Sequence, residues 1–259
     1  MVCLAGLPLA SLAPAFTAEL TRSVRPLAPN EEMLPSTPRQ IPPLAGADGK
    51  PLAPIRIAIS DGRSGDLSAL VQRDAAFEIV SPSANPELIW NSVSHHVAAG
   101  KTIVAYKVEP GDLAAVIDRT AALRALAELV SQRPQPLRVS GGNELRHKGD
   151  KVDIEVPSVE NRALILFSLS GEGTVQALYP LGSDQRVLTT SPYRMRVQIH
   201  EPFGTDTIVA ITASAPIDRL DAGLRAISAF HSAGPALRLI LSSLPPDARI
   251  GTISLSSAP

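Results

Sequence analysis

From Ile55 onward, apolar and polar positions fall into short regular patterns. Ile55-Arg56-Ile57-Ala58-Ile59 alternates and is β-branched, which predicts a strand ending at Ser60-Asp61-Gly62. Leu67, Leu70 and Val71 recur at helical spacing, with Ser64 or Asp66 placed to cap the helix. Phe77 to Val80 reads as a second strand and Thr102 to Val108, entered from Gly100, as a third. The clearest helix runs from Pro110 to about Ser131. Leu113, Val116, Ile117, Leu123, Ala127 and Val130 mark one face, while Asp118, Arg119, Arg124 and Glu128 lie largely off it. Pro134 and Pro136 end it. The order strand, helix, strand, strand, helix predicts a small layered α/β lobe.

Beyond Pro136 the pattern is mostly that of strands. Val152, Ile154 and Val156 alternate with Lys151, Asp153 and Glu155, so one face is expected to be buried and the other wet. Ala163 to Phe167 is continuously apolar, as a strand covered on both faces would be. Gly171-Glu172-Gly173 turns the chain into a strand from Thr174 to Tyr179. Met195, Val197 and Ile199 alternate with Arg194, Arg196, Gln198 and His200, and Asp206 to Thr212 gives a central strand. Helices are expected from Leu220 to Phe230 and from Leu237 to Leu244, then a last strand from Gly251 to Leu255. The expected class is α+β: a small α/β lobe followed by an antiparallel β-sandwich with two short helices before its last strand.

Residues 1–54 differ from the rest, with ten of the 24 prolines among them. Each proline fixes φ and removes a donor, so neither helix nor central strand runs far. The stretch from Met1 to Phe16 is apolar enough to suggest a signal peptide, but it lacks a basic start and is interrupted by Pro8 and Pro14. Composition favours a Pro-rich linker or arm. Three segments are therefore expected: the arm at 1–54, the α/β lobe at 55–135 and the sandwich at 136–259.

Among 259 residues, 44% are hydrophobic and 19% charged, enough to bury a core. A net charge of −1 lacks the basic excess that a nucleic-acid surface needs. No apolar run reaches the length of a spanning helix, so no transmembrane segment is expected. The single cysteine, Cys3, excludes an internal disulfide and any multi-cysteine metal site.

Catalytic motifs do not emerge. No G-x-S-x-G elbow is present, and Cys3 sits in the arm with no histidine near it in sequence. His200-Glu201 begins like H-E-x-x-H, but Pro202 blocks a helix and Gly204 stands where the second histidine would be. His95 and His96 are adjacent and diverge in either regular conformation. Ser60 to Asp66 lies between a strand and a helix, where an anion would sit. Its glycines are spaced G-x-x-G, and Asp61 and Asp66 oppose a phosphate, so a capped turn is the plainer reading. No catalytic, cofactor or metal residue is expected. Trp90, the only tryptophan, reads as a core or interface anchor. Arg194 and Arg196, with His200, form a basic stripe suited to a partner or an anion.

Several stretches resemble a known family. Lys148-Gly149-Asp150-Lys151-Val152, Ala163 to Leu169, Gly173-Thr174-Val175-Gln176-Ala177-Leu178-Tyr179-Pro180 and Glu201-Pro202-Phe203-Gly204-Thr205-Asp206 resemble the domain of unknown function 4384 that follows caspase-like domains in many bacterial proteins. Ile55 to Arg133, with Leu88-Ile89-Trp90 and Ala114 to Arg119, is similar to the segment preceding that module in alphaproteobacterial members. The resemblance implies a caspase-like peptidase domain carrying a His and Cys dyad. No position here matches that dyad, so no catalytic residue carries over. Met1 falls in what reads as the linker behind such a domain. The chain is thus expected to be either a stand-alone accessory relative or part of a cysteine peptidase whose catalytic domain is encoded upstream.

The Glu201–Asp206 cluster also has a reading of its own. Pro202 ends a strand, Phe203 closes the sandwich end, Gly204 takes a positive φ and Asp206 accepts backbone N–H bonds. Candidate partner-binding residues are therefore Arg194, Arg196, His200, Phe203, Gly204 and Asp206. The leading expectation is a non-catalytic accessory or protein-interaction module that binds protein and needs no cofactor. A peptidase part and an anion- or nucleotide-binding lobe at Gly62 to Asp66 are the alternatives. The resemblance is compatible with a periplasmic or exported protein, whereas an N-terminus that is only a linker implies the cytoplasm.

Overall fold

Which faces of each strand are apolar decides how the layers stack. The computed structural model describes residues 43–61, 73–142 and 144–259. The Pro-rich arm up to residue 42, the Gly62–Asp66 loop and the helix expected at 67–71 lie outside the described residues.

β1 (Ile55–Ser60), β2 (Phe77–Ile79), β3 (Leu88–Asn91), β4 (His96–Ala99) and β5 (Thr102–Ala105) precede helix α1 (Leu113–Gln132). β2 and β3 pair with β1 in parallel, and β3, β4 and β5 follow one another antiparallel. The sequence pattern does not predict β3 and β4. Asn91 closes their turn by accepting the N–H groups of Val93 and Ser94 at 3.0 and 2.9 Å. Trp90 on β3 is buried and its indole N–H donates to the Val108 carbonyl at 3.1 Å, which makes it a core anchor.

The second half supplies β6 (Arg138–Val139), β7 (Arg146–His147), β8 (Lys151–Val156), β9 (Arg162–Leu169), β10 (Val175–Tyr179), β11 (Val187–Leu188), β12 (Tyr193–Gln198) and β13 (Gly204–Ala213). Helices α2 (Asp218–Ala226) and α3 (Ala233–Ser243) then lead into β14 (Arg249–Ala258). β13 runs between β9 and β14, antiparallel to both, and β10 folds back on β9 as the Gly171–Gly173 turn predicts. Both helices stand before the last strand, as expected, although each begins earlier than its periodicity indicates.

Gly204 pairs with Ala105 and joins the two halves into one 11-stranded sheet. A separate three-stranded sheet, β12-β8-β6, packs on one of its faces, giving an α+β fold with sandwich-like packing. Period-two alternation sorts the side chains. Ile165, Phe167, Leu169, Val209 and Ile211 enter the core beneath α1 and α3. Leu164, Leu166, Ile208 and Ala210 enter the core facing Val152, Ile154 and Val156 of the small sheet. The continuous apolarity of β9 is explained by these two covered faces. Both halves of the chain contribute to the helix-side core.

α1 departs from its sequence pattern. Asp118 and Arg119 lie off the apolar stripe, yet each is only 5% exposed. Loop 73–75 covers one of them and the large sheet the other, so α1 is enclosed well beyond its apolar face. One Asp118 carboxylate oxygen accepts the N–H groups of Asp74 (3.2 Å) and Ala75 (2.7 Å). Burial pushes its carboxyl up to about 6 despite these two bonds, with Asp74 adding repulsion.

Because the folded carboxyl holds its proton more tightly than the unfolded one, its contribution is fully present below about pH 4 and is lost as pH rises through about 6. Asp118→Asn keeps the acceptor oxygen without the buried charge. Its stability relative to the parent, measured by urea unfolding, should rise by roughly 2–3 kcal/mol from pH 4 to pH 7. Asp118→Ala leaves two buried donors without a partner and should cost about 2–4 kcal/mol at pH 4. A pH-independent Asn variant would contradict this assignment.

Candidate functional site at the open edge of the sandwich

β12 is paired on one side only. Asp153 of β8 turns both backbone groups toward β6: its carbonyl accepts the Ser140 N–H and its own N–H donates to the Ser140 hydroxyl. Val152, Ile154 and Val156 therefore face β12, where they register with Val197, Met195 and Tyr193. The backbone groups of Arg194, Arg196 and Gln198 point the other way. Among the described residues no strand pairs with that side.

Side chains along β12 divide between the two faces. Tyr193, Met195 and Val197 pack toward the sandwich core, and Tyr193 lies against Tyr179 with ring centroids 4.6 Å apart. Arg194 and Arg196 point outward and are not a free basic stripe. Arg194 reaches Glu155 at 2.9 Å, and Arg196 reaches Asp153 at 2.6 Å. The Arg196 pair is largely open to solvent; it holds the Asp153 carboxyl below its ordinary value and contributes little stability. The β8–β12 register thus neutralises both arginines.

At the C-terminal end of β12 the two sheets separate around a cleft of about 480 Å³. Val197 to Pro202 form its upper wall. Ser168 and Ser170, Gln176 and Leu178, Asp206 and Ile208, and Leu255 form the floor across β9, β10, β13 and β14, while Glu172 and Thr174 come from the β9–β10 turn. His200 and Asp206 both line it, away from the arginines. Phe203 is buried and closes the sandwich end, as expected.

Gly204 has φ of 141°, a region that penalises a Cβ. A methyl group there would lie 2.2 Å from the Val104 carbonyl oxygen, so this glycine permits the close approach of β13 to β5. Of the six candidates, the structure places two on the outer face, two in the cleft and two in the framework beside it.

Asp206 is held from several directions. It accepts the backbone N–H of Gly171, and burial is the largest influence on its carboxyl, which sits at about 6. Arg119 draws that value down and Glu172 draws it up. Arg119 comes from α1 on the opposite face of the sheet. It donates to the Thr205 carbonyl at 2.7 Å, the Ser170 carbonyl at 3.2 Å and the Thr207 hydroxyl at 3.3 Å. Burial lowers its own value to about 10, leaving it a cation.

Around the mouth, His231 stands 3.6 Å from Glu172 and Lys107 stands 3.5 Å from Glu201. Glu172, Glu201 and Asp206 are the carboxylates of the lining, which holds no lysine or arginine among the described residues. Asp206 and His200 are legible in the sequence as candidates, whereas Glu172 reads there only as a turn residue and the charge of Arg119 suggests a solvated helix face.

Among the described residues, no group of three or more His, Cys, Asp and Glu side chains is arranged to hold a metal ion. Among them, too, no helix is long and apolar enough to cross a membrane. No protein-family model, curated protein or solved structure matches this chain.

Proposed function

We propose that this chain is a non-catalytic protein-interaction module, related to the C-terminal region of bacterial caspase-like proteins, that takes an extended peptide segment onto β12. The observation that carries the reading is the unpaired side of that strand. An exposed edge offers alternating N–H and C=O groups to an incoming strand, which supplies main-chain affinity, while an adjacent cleft selects side chains. Here the edge and the cleft share Val197 and Gln198. The three-stranded sheet leaves part of the large sheet's inner face uncovered beside them. The Glu201–Asp206 stretch that carries the family resemblance lies at the same place.

Selection of random peptides of about eight residues on the purified protein tests the reading. Peptides it retains should lose binding to Arg196→Pro, which removes an outward N–H and is tolerated on a strand edge. Peptides that bind Arg196→Pro and the parent equally would overturn it, as would selection of none. Peptide hydrolysis by the purified chain that survives Cys3→Ala would overturn the non-catalytic part.

A further inference from the structure

The occupant of this edge is distinguished by charge. We infer that the segment added to β12 presents a lysine or arginine side chain to the cleft, where Asp206 and Glu172 receive it; this rests on the strand-addition reading above. A strand paired with β12 lies about 4.8 Å from it and turns every second side chain toward the face that Met195 and Val197 share. Near Gln198 that face overlies the cleft. The apolar residues Leu178, Val197, Ile208 and Leu255 can cover the methylene stem of such a side chain, and the carboxylates stand with the hydroxyl and amide groups of Ser168, Ser170, Thr174 and Gln176.

Among the described residues neither carboxylate is hydrogen-bonded by a cation: Glu172 accepts the Thr174 hydroxyl at 3.0 Å with His231 at 3.6 Å, and Arg119 acts on Asp206 through its charge alone. Lys107 and Glu201 are both more than half exposed and meet only at 3.5 Å. Arg119 spends its hydrogen bonds on Ser170, Thr205 and Thr207 rather than on Asp206. A second copy of this chain fits poorly. Paired antiparallel, the other copy's β12 would turn Tyr193, Met195 and Val197 toward the cleft face and keep Arg194 and Arg196 on the outer face with Glu155 and Asp153, so it brings no cation to the cleft.

Three peptides of alternating threonine and valine, about eight residues long, separate the possibilities. They carry lysine, norleucine or glutamate at one central cleft-facing position, and fluorescence anisotropy gives their Kd values. The lysine peptide should bind about tenfold more tightly than the norleucine peptide, and the glutamate peptide more weakly than either. Glu172→Gln and Asp206→Asn should each shrink the lysine advantage; the glutamine variant lies in a turn and serves if the asparagine variant misfolds. Equal binding of the lysine and norleucine peptides, lost in Arg196→Pro, would overturn the charge inference and leave strand addition standing. Binding of all three that is insensitive to Arg196→Pro, or no binding at all, would overturn both. A dimer that dissociates on Arg196→Pro would assign the edge to a second copy and overturn the peptide proposal.

Discussion

Arg119→Met should destabilise the protein by about 3–5 kcal/mol, because it removes one partner of a buried charged network and leaves the rest in place. The thioether fills much of the same volume, so packing is not the main loss. Two backbone carbonyls and the Thr207 hydroxyl lose their donor, and Asp206 loses the cation that offsets its burial. Arg119→Lys should cost less, since it retains the charge but cannot present a planar fork to three acceptors. Arg119→Met combined with Asp206→Leu should recover part of the loss, because the unpaired carboxylate disappears with its partner. Urea unfolding at pH 7 measures all three. A loss below about 1 kcal/mol for Arg119→Met would show that the network does not hold α1 to the sheet.

Gly204→Ala is the second large effect, expected at about 3 kcal/mol or more from overpacking together with an unfavourable φ. Gly171 gives a companion test, since a Cβ there would meet the same Val104 oxygen at 1.8 Å. Both glycines press on one carbonyl of β5, where the strands of the first half meet those of the second. Gly171→Ala should therefore lower the urea midpoint about as much as Gly204→Ala, and the two should not add, because they strain the same contact. By contrast, Gly142→Ala, with nothing within 4 Å of the new methyl group, should cost only what its φ of 57° imposes. Equal small losses at all three positions would contradict the close approach.

Particular residues show how far the sequence could be read. β9 and β13 are legible because each is apolar on both faces, and only a strand covered from both sides tolerates that. β8 and β12 are legible as alternating strands, but the cancellation of Arg194 and Arg196 depends on the register that brings Glu155 and Asp153 opposite them. Nothing local to β12 reveals that register. β3 and β4 escape notice because their turn, Ser92-Val93-Ser94-His95, contains no glycine. It is closed by the Asn91 side chain and by His95 at a φ of 52°. Arg119 escapes for a different reason. Its acceptors lie 51 to 88 residues away, so helical periodicity carries no trace of them. The cleft is a property of sheet packing, and its walls come from strands that no single stretch of sequence brings together.

The most direct test of strand addition at β12 is amide hydrogen exchange, followed by NMR, with and without a saturating peptide selected on the protein. The N–H groups of Arg194, Arg196 and Gln198 should become protected on binding, while those of Val197 and Met195, already facing β8, change little. Protection that arises elsewhere, with the three outward amides exchanging as fast as in the free protein, would contradict it.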